Sequence, residues 1–203
     1  FDLDPAMFAA ELPPFARART ARVAAGRGAI ARVVSEGQEI YRRKLTFAEA
    51  RVRIDGAHRP YHEALAGLIA EAQSAHGFAI LIDWHSMPAA AARATGRDRP
   101  CDVVLGDRYG AACAGVLPTR VERALEARGY RVARNAPYAG GYTTEFYGQP
   151  RRRTHALQIE INRALYLDEA TLSPTSGFET LKADVEILTR ALAEADWSAL
   201  NAA

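Results

Sequence analysis

The stretch Phe78–Pro88, FAILIDWHSMP, decides the fold. It begins with an apolar run that is rich in strand formers and ends at Asp83, and Gly77 precedes it. A run of this length with these flanks is typical of a buried strand and is compatible with a parallel sheet. We predict that the strand terminates at Trp84, which places His85 just past its end.

Similar segments follow along the chain and define the fold class. Apolar runs predict strands at 102–106, 130–133 and 155–162, with a shorter extended piece at 30–34. Apolar spacing and caps predict helices at about 47–75, with Thr46 and Glu49 as a capping box, at 119–128, with Thr119 as N-cap, and at 178–195. We expect Pro60 to kink or split the first of these helices near His58. The order of these elements favours a three-layer α/β/α sandwich with a mixed central sheet.

Length and charge exclude several classes of protein. The chain has 203 residues, which suits one domain over 1–203. Lys and Arg number 26 and Asp and Glu 24, a net charge of +2 that excludes a strongly basic nucleic-acid binder. No apolar run approaches the roughly 20 residues of a membrane span. Two cysteines, Cys101 and Cys113, indicate reduced thiols in a cytosolic protein. The chain starts at Phe1 without a signal peptide, and we expect an N-terminal segment to be missing.

His85 is the first candidate site residue. Ligands of open α/β sheets bind outside the carboxyl ends of strands. Asp83 lies two residues earlier and shares a strand face with His85, so its carboxylate can orient a metal-bound imidazole. The alternative is that His85 only caps the strand through a backbone hydrogen bond.

Glu160 is the second candidate. Gln158, Glu160 and Asn162 alternate with apolar residues, so one strand face is polar. A half-exposed antiparallel strand gives the same pattern without any function. A Glu beside a metal is nevertheless a good general base. His155 falls on the opposite face and is discounted as a partner of Glu160.

Three weaker signals remain. His58 and His62 have helical metal-pair spacing, but Pro60 lies between them and capping or packing is the simpler interpretation. Asp107 and Arg108 follow a strand, where a site pair and a surface turn are equally compatible. A basic run at 151–153 is most simply a solvated loop.

Six phrases in order resemble the N-formylglutamate amidohydrolase (N-formylglutamate deformylase) family. They are spread along most of the chain: Ile30–Val34, Arg59–His62, Ile82–Pro88, Leu105–Gly110, Asn135–Tyr142 and His155–Tyr166. The resemblance implies a zinc carboxypeptidase-like hydrolase with a phosphorylase/hydrolase-like fold and an eight-stranded mixed sheet. It also implies cytoplasmic hydrolysis of N-formyl-L-glutamate to formate and glutamate, in histidine degradation, by a Zn²⁺-bound water. The partner is then a small acidic N-acyl amino acid, with no nucleic acid or membrane.

The resemblance also implies residue roles. His85 matches a metal-binding histidine and Glu160 matches the general base, with Asp83 supporting His85. Arg163 and Arg32 are candidates for the two substrate carboxylates, although each can instead pair with a structural carboxylate. The full set of substrate-binding candidates is Arg163, Asn162, Arg32 and Asp107.

The chain departs from the family pattern in three places, one of which is Trp84, where the resemblance implies a smaller residue such as Cys. The other metal ligands of the family come from a Pro-His-Ser-Gly phrase and an acidic residue upstream of the Leu3-Asp4-Pro5 phrase at which this chain starts. We therefore expect zinc in the complete protein and weak or no zinc in this chain. Glu145 also lies in a loop where a basic residue would suit an acidic substrate better. Two alternatives follow: a truncated or degenerate non-catalytic relative, and a hydrolase of another N-acyl amino acid.

Overall fold

The computed structural model describes residues 2–16, 18–34, 37–93 and 100–200. The chain divides into two compact units, Phe1–Ala66 and Gly67–Ala203. The single domain over 1–203 stays a prediction. Among the described helices, none combines the length and the apolar character that a membrane span needs.

The first unit has a small apolar core and short elements. Its helices are α1 (Ala21–Ala24) and α2 (Phe47–Arg53), with a 3-10 turn at Pro5–Met7. The predicted capping box of α2 is confirmed, because Thr46 and Glu49 each accept a hydrogen bond from the other's backbone N–H. The buried side chains of this core are Leu3, Met7, Phe8, Ile30, Leu45 and Ala50.

The predicted extended piece at 30–34 is wrong as a strand. The described residues there form only single bridges, from Arg27 to Ala31 and from Val33 to Glu39. The backbone N–H groups of Arg32 and Val33 both donate to the carbonyl of Gly26. The segment therefore turns back on itself, and these donors are not available to a neighbouring strand.

The predicted break near His58 is confirmed. After α2 the chain passes through a π turn at Ile54–His58 and continues as α3 (Arg59–His76). Pro60 lies in the first turn of α3, where a missing backbone N–H costs no helical hydrogen bond.

The second unit is built on a mixed sheet of four described strands. They are β1 (Ala79–Met87), β2 (Val103–Gly106), β3 (Val132–Arg134) and β4 (Thr154–Asn162), in the order β1-β4-β2-β3. The pairs β1–β4 and β2–β3 are parallel, whereas β2 and β4 are antiparallel. The mixed sheet is confirmed.

Helices cover both faces of this sheet. The larger core lies on the face that carries Leu105 and Ile159, against α5 (Val116–Glu126) and α7 (Phe178–Ala193). The other face carries Val104 and is covered by α4 (Ala89–Arg93) and α6 (Tyr142–Tyr147). The three-layer arrangement is therefore confirmed.

Two boundaries differ from the predictions by three residues. Helix α5 begins after Gly115 rather than at Thr119, since Pro118 is tolerated in a first turn. The hydroxyl of Thr119 accepts a hydrogen bond from Arg134 instead of capping. Strand β1 continues to Met87, so the prediction that it ends at Trp84 is wrong. It is extended because all nine of its residues pair with β4.

Candidate active site

The polar face of the sheet brings the two main candidates together. Asp83 and His85 alternate along β1, and Gln158 and Glu160 alternate along β4. The parallel register sets His85 directly beside Glu160 and Asp83 beside Gln158. His85 therefore lies inside a strand rather than past its end, and it contacts its partners from the face of the sheet.

The imidazole of His85 lies between two carboxylates. Its Nε2 is 3.1 Å from Oδ1 of Asp83, and its Nδ1 is 4.0 Å from Oε1 of Glu160. The side chain of His85 is 46% exposed, whereas those of Asp83 and Glu160 are 13% and 7% exposed. The site thus has a solvent-accessible imidazole next to two largely buried carboxylates.

Glu160 has the electrostatics of a general base. Burial raises the pKa of its carboxyl, and the charge of Asp83 adds to the rise. His85 and the hydrogen bond from Gln158 act in the opposite direction but do not cancel it. A carboxyl whose pKa lies above its ordinary value is a stronger proton acceptor once ionised. The alternative stated above, a half-exposed antiparallel strand, is wrong because both faces of β4 are buried and one of its two neighbours, β1, is parallel to it.

Gln158 and the loop that follows β3 complete the polar cluster. The Gln158 side chain donates from Nε2 to Oε1 of Glu160 (2.8 Å) and accepts from the backbone N–H of Gly141 (2.7 Å). Gly140 has a φ of 115°, which requires glycine. The sequence pattern placed Gln158 on the polar face but gave it no role. Its spacing of two residues from Glu160, which puts both side chains on one face of the strand, could have indicated their contact.

Arg163 and Asn162 follow β4, as predicted. Arg163 donates to the hydroxyl of Ser86 (3.1 Å) and to its carbonyl (3.4 Å). Asn162 accepts from the N–H of Ala164 and donates to the carbonyl of Cys101. The oxygen of the Asn162 amide therefore caps the turn after β4, and its nitrogen binds the segment that leads into β2. Substrate binding by these two residues stays a prediction.

Asp107 organises the turn after β2. Its Oδ1 accepts from Nδ2 of Asn135 (2.7 Å) and from the N–H of Gly110 (3.0 Å). The next residue, Arg108, has a left-handed backbone, and its guanidinium lies 3.4 Å from the carbonyl of Gly140 and 3.3 Å from the carboxylate of Glu145. Asp107 stabilises this turn through its hydrogen bonds, and the side chain of Arg108 contacts the glycine loop, Gly140–Gly141, at the carbonyl of Gly140.

Arg32 belongs to the first unit. Its Nε lies 2.8 Å from Oδ2 of Asp4, which is buried, and its Nη1 lies 3.5 Å from Glu39. The alternative stated above, pairing with a structural carboxylate, is thus present for Arg32. Its role toward substrate stays a prediction.

His155 lies on the other face of β4 from Glu160, as predicted. Its ring is fully buried, and Nδ1 accepts a hydrogen bond from the N–H of Ala114. Burial lowers the pKa of this imidazole, which keeps it neutral. His155 is a structural residue of the core.

The described residues do not complete a zinc site. A catalytic zinc takes three protein ligands and keeps one position open. No group of three or more His, Cys, Asp or Glu side chains in the described ranges is placed to hold a metal ion. His85 can offer Nδ1, and Oδ2 of Asp83 is buried without a hydrogen-bond partner in the described structure. These donors fit part of a metal site, and zinc stays a prediction.

Fold and site together define the class: a three-layer α/β protein with an imidazole and a buried carboxylate facing each other on the polar face of a mixed sheet. Comparison with known proteins gives the family. The chain belongs to the N-formylglutamate amidohydrolase family, whose sequence model matches residues 1–167. The resemblance inferred from the six phrases is confirmed.

Individual relatives agree with this assignment. The chain is 34% identical to N-formylglutamate deformylase of Pseudomonas aeruginosa over 137 residues, which is 66% of this chain and 51% of that protein. It is 30% identical to N-formylglutamate deformylase of Pseudomonas putida over 163 residues, which is 79% of this chain and 60% of that protein. The chain thus spans about half to three-fifths of the length of the curated relatives that it matches.

Solved structures support the fold. The crystal structure of N-formylglutamate amidohydrolase from Ralstonia eutropha JMP134 matches with a TM-score of 0.87 and 41% identity, covering 95% of this chain and 70% of that one. A gene product of Agrobacterium tumefaciens matches with a TM-score of 0.51 and 20% identity, covering 73% and 54% of the two chains. The second match is evidence for the fold alone.

Proposed function

We propose that the full-length protein is an amidohydrolase that cleaves the formyl amide of N-formyl-L-glutamate to give formate and L-glutamate. The observation that carries this proposal is the pair His85–Glu160, a half-exposed imidazole directly beside a buried carboxylate of raised pKa. The family of the chain gives the substrate class.

In this proposal Glu160 moves the proton. Its carboxylate accepts a proton from the water that attacks the formyl carbon, and then donates it to the nitrogen of the leaving amine. Oδ1 of Asp83, 3.1 Å from Nε2, and Oε1 of Glu160, 4.0 Å from Nδ1, flank the His85 ring on its two sides. Arg163, which directly follows β4, is our candidate for binding a substrate carboxylate.

We further propose zinc as the cofactor of the full-length protein, with Nδ1 of His85 as one ligand. The remaining ligands are not supplied by the residues described here, and no proton transfer above depends on them. Participation in histidine degradation and a cytoplasmic location stay predictions.

The direct test is product analysis with the purified full-length protein. Incubation with N-formyl-L-glutamate is expected to release formate and glutamate in equal amounts, and the Glu160→Gln variant is expected to release neither at a comparable rate. A folded protein that releases no formate from this substrate or from other N-formyl amino acids supports the degenerate, non-catalytic alternative.

A second candidate substrate is a less acidic N-acyl amino acid. The observation that favours it is the contact between Arg108 and Glu145, in which a cation beside the glycine loop is already paired with a carboxylate of the chain. A dianionic substrate then has to compete with Glu145 for Arg108. A neutral side chain on the substrate meets no such competition.

Two substrates and one variant distinguish these possibilities. We compare kcat/KM for N-formylglutamate and its neutral isostere N-formylglutamine in the wild type and in Glu145→Gln. If Arg108 takes a substrate carboxylate, the variant raises kcat/KM for the acidic substrate by up to about fivefold, the range of an exposed ion pair, and leaves the neutral one unchanged. The matched control is Glu122→Gln, which removes the carboxylate that pairs with Arg134.

A further inference from the structure

We propose that Gln158 is a positioning residue whose side-chain amide fixes both the carboxylate of Glu160 and the Gly140–Gly141 turn. It holds Oε1 of Glu160 and leaves Oε2 as the oxygen that exchanges the proton. This inference rests on the proposed function for its catalytic consequence, whereas its structural part stands on the contacts alone.

Both ends of the Gln158 amide are engaged at short distances. Nε2 donates to Oε1 of Glu160 at 2.8 Å, and Oε1 accepts from the N–H of Gly141 at 2.7 Å. The residue is 3% exposed, so water does not compete for these bonds. Because β4 lies between β1 and β2, its backbone is held on both sides and the amide has a fixed origin.

The chemistry of the partners sets the orientation of the amide. An ionised carboxylate only accepts hydrogen bonds, and a backbone N–H only donates them. A flipped amide would place its NH₂ group against the N–H of Gly141 and its oxygen against the carboxylate of Glu160. Both bonds would be lost, so a single orientation satisfies the two partners.

This orientation divides the two oxygens of Glu160. Oε1 receives the Gln158 hydrogen bond and is the oxygen that lies 4.0 Å from Nδ1 of His85. No hydrogen bond to Oε2 occurs within the described part of the chain. Oε2 is therefore the oxygen available to an attacking water.

The same amide holds the glycine turn against the sheet. Gly141 precedes the first residue of α6, and a Cβ at Gly141 would lie 3.2 Å from Oε1 of Gln158. The turn also provides the carbonyl of Gly140 that Arg108 contacts. A shift of the turn is consequently transmitted to the carboxylate of Glu160 through one side chain.

The decisive experiment is a double-mutant cycle in the full-length protein with N-formylglutamate as substrate. Gln158→Met keeps the length of the side chain and removes both hydrogen bonds. We expect kcat to fall about 10- to 100-fold, the usual cost of losing a residue that orients a catalytic group, with KM within about threefold. In the Glu160→Gln background the same change should cause no further fall, since the group that Gln158 positions is no longer a base.

A purely structural role predicts a different result. It would lower kcat by the same factor in both backgrounds, and that result, or a wild-type kcat in Gln158→Met, overturns the proposal. If Gln158→Met does not fold, Gln158→Asn replaces it in the same cycle, because Asn keeps the amide but is too short to span both partners. The matched control is Gln149→Met, which removes a side-chain hydrogen bond to the carbonyl of Phe146.

Amide hydrogen exchange separates this inference from the proposed function. In the wild type without substrate, we expect the N–H of Gly141 to be protected, and in Gln158→Met we expect it to exchange at least tenfold faster. A protein that hydrolyses no N-formylglutamate but shows this change refutes the proposed function and leaves the structural link in place. Equal exchange of Gly141 in the two proteins overturns the inference whatever the activity.

Discussion

Replacement of Glu160 by Gln isolates proton transfer from the other properties of the site. Gln has nearly the same shape as Glu, and its carbonyl oxygen can still accept the hydrogen bond that Nε2 of Gln158 now gives to Oε1 at 2.8 Å. The amide cannot accept a proton at neutral pH. The substitution therefore removes the base while it keeps the contact that holds the side chain.

Rate and stability should respond very differently. General acid–base catalysis contributes about 10²- to 10⁴-fold, and we expect kcat to fall by that factor. Burial disfavours the ionised form of Glu160, as its raised pKa indicates, so a neutral side chain at this position loses little folding free energy. We expect the free energy of unfolding to change by less than about 1 kcal/mol, the size of one net hydrogen bond.

The assay measures formate release, zinc content and thermal unfolding on one preparation of the variant. The expected result is a folded protein with unchanged metal content and a strongly reduced kcat. Wild-type turnover in a folded variant would refute the assignment of Glu160 as the base. Normal turnover in a destabilised variant would show that Glu160 is a structural residue.

Three further predictions concern the rest of the molecule. Gly106→Ala would place a Cβ within 2.6–2.7 Å of the facing loop backbone, and denaturation should show a loss of about 1–3 kcal/mol, whereas Gly67→Ala on an open helix surface should not destabilise. Burial raises the pKa of Asp102, but its hydrogen bonds from Arg131 outweigh this and the net pKa is lowered. The stability lost in Asp102→Asn should therefore be largest above about pH 4 and vanish as the pH falls through the folded-state pKa; an acid titration of unfolding free energy measures this. His85→Ala should lose zinc in the full-length protein by elemental analysis, and full zinc content in that variant would remove His85 from the metal site.

The sequence predicted those strands and helix boundaries that are encoded by a few neighbouring residues. The strands within 102–106 and 155–162 follow from apolar runs with turn residues at their ends, and the split near His58 follows from a proline. Asp83 and His85 were placed on one face by the two-residue period of a strand, and the structure brings them within 3.1 Å. The extended piece at 30–34 failed because a strand needs a partner, which propensity does not supply.

The contacts between strands could not be predicted in the same way. The register that sets His85 beside Glu160 depends on the path of the chain from 88 to 153, and no local pattern encodes it. Three residues of β1, His85 to Met87, were predicted to lie past the end of the strand because the apolar run stops before them. Their extended conformation is imposed by β4, whose residues pair with them one by one.

The order of the strands explains why one half of the site is open and the other closed. In the described sheet β1 is an edge strand and β4 an interior strand, so the two neighbours His85 and Glu160 have unequal exposure, 46% against 7%. The interior position desolvates the carboxylate and raises its pKa, because the ionised form loses its hydration. The edge position gives the imidazole access to solvent and small molecules. The parallel register of one edge strand and one interior strand thus sets an accessible imidazole beside a buried carboxylate.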